Sequence, residues 1–448
     1  MSSLVVQAEV YHKTTTQMSY SVSSALAGLI AGPLIFVPLA QVIGTSSCIF
    51  WSLLGSFACC IWSATCTGQG DYMSFTISRL IGGLFASIPQ CLGNGAIVNL
   101  FFLHQRGKAF AIFSTCFTLG TVAGPTFSGF IISHQSFAVE YWWIVALLGI
   151  CAVLVFFFLE ETGFNRDRTA AYPHVPESFI PKKIATFFPG TQVVPHITGQ
   201  QLTRFIVAPY LIGFSPAGIC VGIFGMTLFG FFILINSQLA IFLQPPVIAG
   251  GYGFTPQRNA AFLFCIWFGI LCAQASAHFL NDRLPMWFCK RRGGVWKPEY
   301  RLQTLWLTGV ILMPVGLGIF GACLQYHEHY MVLALASFLI AYAACSSVAV
   351  PINYLVESFA GNPQEVGTVM NGYRLALGLA INFFTEPWEK SVGIGWVFGM
   401  AAFFSLGSFL LVILLMWKGH VIRQWSYGGI GKTDDGAKVV DAKTAGDA

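Results

Sequence analysis

Long apolar runs, separated by polar or Gly/Pro-containing breaks, constrain this chain more than any other feature. A helix that crosses the hydrocarbon core of a bilayer, about 30 Å thick, needs roughly 20 residues. Only 9% of the 448 residues are charged and 55% are apolar, so we predict an all-α, polytopic membrane protein with about 11 transmembrane helices. The eleven predicted runs are 21–43, 48–66, 72–103, 108–133, 142–159, 212–243, 259–280, 302–325, 330–356, 364–384 and 394–418.

The placement of the 23 Lys and Arg residues predicts how these runs are oriented. An odd number of spans puts the two termini on opposite sides of the membrane. Most basic residues fall in four regions that then share one side: Arg106 with Lys108, 166–204, 283–301 and 418–443. Because cytoplasmic loops carry the excess of Lys and Arg, we expect a cytoplasmic C-terminus and a non-cytoplasmic N-terminus.

A proline-containing stretch between the fifth and sixth runs predicts the domain organisation. It carries five prolines and both signs of charge between residues 160 and 195, which is typical of an irregular connector. It divides five spans from six. The predicted parts are an N-terminal tail, an N-terminal helix bundle, a cytoplasmic linker, a C-terminal helix bundle and a cytoplasmic tail, at 1–20, 21–159, 160–209, 210–418 and 419–448.

Four motifs carry a resemblance to a known family. They read ISRLIGGL at 77–84, GTVAGPTFSG at 120–129, LEET at 159–162 and RRGGVWKPEYRL at 291–302. The first resembles a buried-arginine motif, and the second resembles an antiporter motif from which it departs at Ser128. The third is similar to a Pro-Glu-Thr helix ending, and the fourth to a cytoplasmic loop of a fungal branch. The chain thus resembles major facilitator superfamily exporters, especially fungal drug and metabolite antiporters.

The resemblance implies a two-bundle fold and a function. Family members have twelve helices, and the first run here matches their second, so we expect the first helix to be absent. The loop that usually carries an acidic residue and paired basic residues reads Gln41, Gly44, Thr45 and Ser46 here, without those charges. The implied activity is secondary active, proton-coupled efflux of a hydrophobic or amphipathic small molecule by alternating access.

A polar stripe in the third run supplies the first candidate site. At 100° per residue, Arg79, Gly83, Ser87, Gln90 and Asn94 fall within an arc of about 80° on one helix face. Ionisable groups inside a membrane are costly and usually face a pathway or a partner. We predict that Arg79 couples proton movement and that Gln90 and Asn94 line the substrate cavity. The alternative is polar packing between helices.

A second stripe lies in the tenth run, where Asn371, Arg374, Gly378 and Asn382 share an arc of about 80°. We predict that Asn371 and Arg374 line the substrate cavity. A structural ion pair between Arg374 and Glu357, or snorkelling towards the interface, are the alternatives. Asn236 and Gln274 are further candidates for the cavity, and with Gln238 they also fit satisfied packing contacts.

Gating is assigned to small residues and to charges near the predicted cytoplasmic face. Gly120 and Gly124 allow close backbone approach, and Pro125 removes a helix hydrogen bond and favours a kink. Asp282 and Arg283 fit a latch that opens during alternating access, and Glu357 belongs to the same gating set. The alternative for the basic residues is that they only set the orientation of the protein in the membrane, since cytoplasmic loops are rich in positive charge.

Other functional classes lack sequence support. The chain contains no P-loop, and no HExxH or GxSxG motif, so ATP-driven transport and an intramembrane enzyme are disfavoured. The cysteines lack metal-ligand spacing, and we predict no cofactor or metal and no nucleic-acid partner. Tyr141, Trp142 and Trp143 suggest an interfacial belt. Uptake of a small nutrient and an inactive truncated transporter remain the alternatives to efflux by a monomer in the plasma membrane.

Overall fold

The computed structural model describes residues 3–100, 103–162, 178–188, 199–246, 251–292, 294, 296–359 and 362–424. These residues form α-helices, π-helical stretches and turns, and no β-strand occurs among them, which confirms the all-α prediction. In chain order the α-helices are α1 Leu4–Val10, α2 Thr15–Ile43, α3 Thr45–Thr65, α4 Tyr72–Ala86, α5 Ile88–Leu100, α6 Leu103–Ile132, α7 Phe137–Phe158, α8 Phe179–Phe187, α9 Gly199–Gly213, α10 Pro216–Leu243, α11 Pro256–Phe262, α12 Phe264–His278, α13 Leu284–Arg291, α14 Glu299–Leu302, α15 Met313–Tyr326, α16 Tyr330–Ser346, α17 Ala349–Ser358, α18 Pro363–Val392 and α19 Ile394–Gln424.

Two compact units divide the chain. Unit 1 comprises Met1–Phe113, Gly124–Pro209 and Thr255–Ala260, and unit 2 comprises Ser114–Ala123, Tyr210–Phe254 and Ala261–Ala448. Unit 2 also contains the π-helical stretches Phe279–Arg283 and Trp306–Leu312, which continue neighbouring α-helices.

Ten segments of the described residues are long and apolar enough to cross a membrane. They match ten of the eleven predicted runs. The remaining run, 364–384, lies within α18, a 30-residue helix that would extend about 45 Å. Its sequence is less apolar than that of the other ten because it carries Arg374 and several amide side chains, and α18 packs against α10. Helix formation was therefore predicted correctly there, although hydropathy alone does not single the segment out.

Glycines let helices α2 and α4 approach closely in unit 1. A Cβ atom added to Gly28 would collide with the backbone of Leu80 and Leu84, and one added to Gly83 would collide with the backbone of Ala25. Small residues of this kind let membrane helices pack backbone to backbone. The α2–α4 contact is therefore fixed by sterics at these positions.

Helix α10 is the central helix of unit 2. It is buried along most of its length and packs against α18 and α19. Small residues again permit the α10–α18 contact, since Gly222 lies under the ring of Tyr373 and Gly230 under Leu377. This contact brings the polar side of α18 towards α10.

The N-terminal residues form helices where the sequence predicted a tail. Residues 4–10 form α1, and α2 begins at Thr15, six residues before the predicted start of the first run. Tyr11 is buried, its hydroxyl donates to the carbonyl oxygen of Cys66 at 2.5 Å, and its ring contacts Phe75 and Phe137. Burial, more than the nearby Tyr141 and Cys66, raises the pKa of the Tyr11 phenol, so it remains a neutral donor.

Candidate functional site

An arginine held between phenyl rings forms the centre of the candidate site in unit 2. The Arg374 guanidinium carbon lies 4.5 Å from the ring centroid of Phe229 on α10 and 5.9 Å from that of Phe117 on α6. Its Nη2 donates to Oδ1 of Asn371, one turn earlier on α18, at 3.2 Å. The structure therefore brings two of the predicted cavity residues together and places the faces of two phenyl rings against one of them, Arg374.

Amide side chains extend from this centre along α10 and α18. Asn382 Oδ1 accepts hydrogen bonds from Gln238 Nε2 at 3.0 Å and from Ser237 Oγ at 3.3 Å. These amides therefore bind each other across the two helices, which agrees with the packing interpretation. Asn236 is 8% exposed, and its Oδ1 has no hydrogen-bond partner among the described residues. It lies seven residues after Phe229, so the two share one face of α10, about 10 Å apart.

Gln274 of α12 is a more peripheral candidate. It is half-buried, and its Nε2 donates to Ser114 Oγ at 3.4 Å. Both residues belong to unit 2. The contact occupies one of the amide's donors and leaves its carbonyl oxygen available for another interaction.

The structure corrects the pair suggested between Arg374 and Glu357. Glu357 binds Arg301 instead, with 2.6 Å between Arg301 Nη2 and Glu357 Oε1, and it also accepts a hydrogen bond from Trp296 Nε1 at 3.2 Å. Arg301 Nη1 donates to the backbone oxygen of Asn281 at 2.9 Å. The distance along the helices explains the outcome, because Arg374 lies three turns inside α18 and Glu357 at the end of α17.

A second ion pair, like the first, uses a residue of α14. Arg423 Nη2 of α19 is 2.9 Å from Glu299 Oε1, and the two side chains are 15% and 10% exposed. Glu299, Trp296 and Arg301 all come from the segment 291–302 that the sequence singled out as a motif. We call the two pairs the α14-end ion pairs. Within unit 2, the motif residues thus bind the π-helical stretch Phe279–Arg283, the C-terminal end of α17 and the C-terminal end of α19.

Two predicted latch residues lie next to this region. Arg283 is exposed and ends the π-helical stretch Phe279–Arg283. The side chain of Asp282 lies outside the described residues, so their pairing stays a prediction.

Arg79 of α4 faces an aromatic ring in unit 1. Its guanidinium carbon is 5.9 Å from the ring centroid of Tyr141 on α7, and it is half-buried. The Tyr141 hydroxyl accepts a weak hydrogen bond from Gln7 Nε2 of α1 at 3.4 Å. Helix α1, which lies in the predicted N-terminal tail, thus contacts Tyr141, the residue that Arg79 faces.

Two of the other residues in the polar stripe of the third run pack against α2, and the role of the remaining two stays a prediction. Gly83 contacts α2, and Ser87 is fully buried beside Gly32 of α2, so the packing interpretation holds for these two residues. Gln90 is half-buried on α5, which follows a break in the helix at Ser87. The side chain of Asn94 lies outside the described residues.

The antiporter-like motif lies within the uninterrupted helix α6, with Pro125 in its interior. No described atom lies within 4 Å of a Cβ atom built on Gly120 or Gly124. Close backbone packing at these glycines is therefore not a feature of this conformation, and their part in gating stays a prediction.

A carboxylate binds the loop at residues 41–46, which lacks the charges usual in the family. Glu161, from the motif at 159–162, accepts hydrogen bonds from the backbone N–H groups of Thr45 at 3.1 Å and Ser46 at 3.2 Å. These are free donors at the N-terminus of α3, where the helix dipole also favours an anion. We call this contact the α3 cap. Backbone N–H groups thus bind a carboxylate at a loop that lacks the family's basic side chains.

Comparison with known proteins identifies the family to which this fold and these motifs belong. The family model described as Major Facilitator Superfamily matches residues 1–385. The chain belongs to the major facilitator superfamily. Members of this superfamily and the structural neighbours below are transporters rather than enzymes.

Fungal transporters are among the similar proteins. The chain is 26% identical over 411 residues to the MFS transporter fsa7 of Fusarium sp. (strain FN080326), covering 90% of this chain and 76% of that protein. It is 25% identical over 417 residues to the efflux pump radE of Floropilus chiversii, covering 90% and 73%.

Solved superfamily structures share the fold. The xylose transporter XylE from E. coli, in a partially occluded inward-open conformation, matches with a TM-score of 0.61 and 14% identity over 93% of this chain and 92% of that one. The human organic anion transporter MFSD10 matches with a TM-score of 0.57 and 17% identity over 91% and 88%. At these identities the likeness supports the fold alone.

Sequence reasoning did not single out Glu140, which is 9% exposed in the first turn of α7. It was missed because the fifth predicted run began at Trp142, five residues after the first residue of α7. Tyr141, which the sequence suggested as part of an interfacial belt, is buried and lies against Arg79. The signal available was an acidic residue bordered by apolar and aromatic neighbours in Val139–Trp143.

Proposed function

We propose that this transporter exports a hydrophobic or amphipathic small molecule, such as a drug or a secondary metabolite, in exchange for protons. Transport proceeds by alternating access, and 160–209 connects the two predicted bundles, 21–159 and 210–418. The protein works as a monomer in the plasma membrane. Arg79 couples proton movement, and the cavity is lined by Gln90, Asn94, Asn236, Gln274, Asn371 and Arg374.

The observation that carries this proposal is the setting of Arg374. A guanidinium against the faces of Phe229 and Phe117 offers two kinds of contact in one place. The rings bind flat apolar groups, and the guanidinium and Asn371 bind polar groups. A ligand with an apolar body and one polar end matches both.

Export is favoured over uptake by the relatives. The proteins of Floropilus chiversii and Gibberella fujikuroi that resemble this chain are named efflux pumps. The antiporter-like motif at 120–129 supports the same direction. The likeness to a xylose transporter concerns the fold and carries no argument about the substrate.

Transport of rhodamine 6G, an amphipathic fluorescent probe, tests the proposal. The full chain is reconstituted in liposomes, and accumulation of the dye is measured with and without an imposed proton gradient. We expect gradient-driven accumulation that falls in Arg374→Ala and is partly retained in Arg374→Lys, since lysine keeps the charge but not the planar group. Lys390→Ala, which removes an exposed pair with Glu386, is the matched control.

Two results would contradict the proposal. Dye movement that does not respond to the proton gradient would remove proton coupling. Movement of the dye together with protons, down the same gradient, would make the protein a symporter and favour uptake.

A further inference from the structure

An exposed apolar stripe on the short helix α8 lies outside the site described above. Ile180, Ile184 and Phe188, which directly follows the helix, are spaced four residues apart, so they share an arc of about 80°. These side chains are 65%, 45% and 48% exposed. Large apolar side chains rarely form a continuous exposed group without a binding role, so the stripe indicates an interaction surface.

Hydrogen bonds and ring contacts hold the other side of α8 against the N-terminal half of α3. The carbonyl oxygen of Phe187 accepts hydrogen bonds from Ser47 Oγ at 2.9 Å and from Trp51 Nε1 at 2.8 Å. The Phe187 side chain is fully buried, and its ring centroid lies 4.8 Å from that of Phe50. Because these contacts fix the rotation of α8, the outward position of the stripe is a consequence of packing.

Both lysines of α8 have partners in unit 1. Lys183 is 3% exposed, and its Nζ donates to the carbonyl oxygen of Leu159 at 2.8 Å, at the C-terminus of α7, where the helix dipole favours a cation. Lys182 Nζ lies 3.1 Å from Glu160 Oε1. Since each positive charge already has a partner, apolar burial is the main attraction that α8 offers to a binding surface.

The stripe continues the apolar surface of α7, one of the helices long and apolar enough to cross a membrane. Phe157 and Phe158, at the C-terminal end of α7, are 50% and 79% exposed. The ring of Phe179, the first residue of α8, stacks on that of Phe157 with 6.4 Å between centroids. At the other end of α8, the rings of Phe188 and Trp51 meet edge to face at 5.8 Å. Tryptophan at the end of a span is typical of the membrane–water interface.

We infer that α8 is a membrane-surface helix whose stripe inserts among the acyl chains of the leaflet at the C-terminal end of α7. Helices with one apolar and one polar side lie in the plane of the interface, with the apolar side buried about 5 to 10 Å into the boundary between headgroups and acyl chains. On the predicted topology this is the cytoplasmic leaflet. Because Phe187 and Lys183 bind α3 and α7, α8 ties the ends of both helices to the lipid. The inference requires a membrane and is independent of the substrate, direction and coupling of transport.

A second copy of the chain is the competing occupant of the stripe. Stable interfaces between proteins take about 20 to 30 residues from each side. The stripe extends only about 12 Å along α8. The exposed surface that continues it belongs to a membrane-spanning helix, so the stripe is too small for a dimer and fits between acyl chains.

Fluorescence quenching in phosphatidylcholine nanodiscs distinguishes lipid, water and protein as the surroundings of the stripe. The fluorescent amino acid Anap replaces Ile184 in one full-length variant and, as the matched control, Lys182 on the opposite side of α8 in another. Lipids brominated in the upper part of their acyl chains should quench the probe at the Ile184 position several-fold more than at the Lys182 position. Iodide in the buffer should show the reverse preference.

Three outcomes would overturn the inference. Equal iodide quenching at both positions would place the stripe in water. Protection of the Ile184 position from both quenchers would mean that protein covers it. Replacing part of the phosphatidylcholine with phosphatidylserine should leave the quenching unchanged, and lipid quenching that appears only with phosphatidylserine would show attraction by charge instead of apolar burial.

Hydrogen exchange supplies a second test that needs no probe. In nanodiscs, Ile184→Asp should raise the exchange rate of the α8 backbone amides several-fold, because a carboxylate does not insert among acyl chains. Ile184→Leu, which keeps the apolar surface, should exchange like the wild type. Wild-type exchange rates in Ile184→Asp would mean that the stripe does not hold α8 to the membrane.

Discussion

Glutamates in the two units are bound by different kinds of partner. In unit 1, Glu161 forms the α3 cap by accepting from the backbone N–H groups of Thr45 and Ser46. In unit 2, Glu299 and Glu357 form the α14-end ion pairs with Arg423 and Arg301. The first arrangement needs no basic side chain, and the second depends on one for each carboxylate. A missing charge in a sequence motif therefore does not imply a missing contact.

The helix contacts of unit 1 also rely on the backbone. Gly28 and Gly83 bring α2 and α4 so close that a single added carbon would meet main-chain atoms, which cannot move aside as a side chain can. We therefore expect unit 1 to be most sensitive to added volume. Unit 2 should be most sensitive to removed charge.

The largest effect is expected for Gly83→Ala. Its Cβ would collide with the backbone of Ala25, and overpacking of this kind costs about 3 kcal/mol. Thermal unfolding in detergent, followed by tryptophan fluorescence, should show a large loss of stability. The neighbouring Gly82→Ala is the matched control, because its Cβ would meet only the Cβ of Cys59 at an ordinary 3.4 Å. Equal behaviour of the two variants would refute the close α2–α4 contact.

Next in size is Arg423→Ala, which leaves the buried Glu299 without its partner. The two side chains keep 15% and 10% of their surface exposed, so the uncompensated charge costs about 2 to 3 kcal/mol, less than the loss of one partner in a fully buried pair. The same unfolding assay measures it, with Lys390→Ala in an exposed pair as the control near zero. The double variant Arg423→Met with Glu299→Met should recover part of the loss. If the double variant recovers none of the lost stability, the loss in Arg423→Ala does not come from the ion pair.

A smaller loss is expected for Glu161→Ala, which removes the α3 cap. The loss of a helix cap costs about 1 kcal/mol. Glu161→Gln should lose less than Glu161→Ala, because an amide oxygen still accepts from Thr45 or Ser46. Glu160→Ala, which affects an exposed pair with Lys182, serves as the comparison. A loss in Glu160→Ala as large as in Glu161→Ala would place the effect outside the cap.

Gly124→Ala is expected to have the smallest effect on stability. Open space surrounds the position in the described structure, and alanine favours a helix over glycine by up to about 1 kcal/mol. Stability should therefore stay equal or rise slightly. If Gly124 takes part in gating, the rate of rhodamine 6G transport falls while stability does not. Destabilisation instead would mean that another conformation packs a helix against Gly124.

Local sequence features predicted most of the helices but not their ends. Ten of eleven predicted runs match apolar helices because hydropathy is summed over many residues. The start of α7 was missed by five residues, and this placed Glu140 outside a span. A boundary misplaced by five residues thus left this buried glutamate out of the predicted span, since boundaries depend on caps and packing rather than on mean hydropathy.

By itself, the sequence determined the helical membrane class, the superfamily motifs and the presence of arginines on polar helix faces. These follow from periodicity and composition, which act over neighbouring residues. Only the tertiary structure decided that Glu357 binds Arg301, that Gly83 contacts α2, and that Arg374 lies between two phenyl rings. Such partners are far apart in the chain, and their pairing depends on the rotation and depth of each helix, which periodicity leaves free.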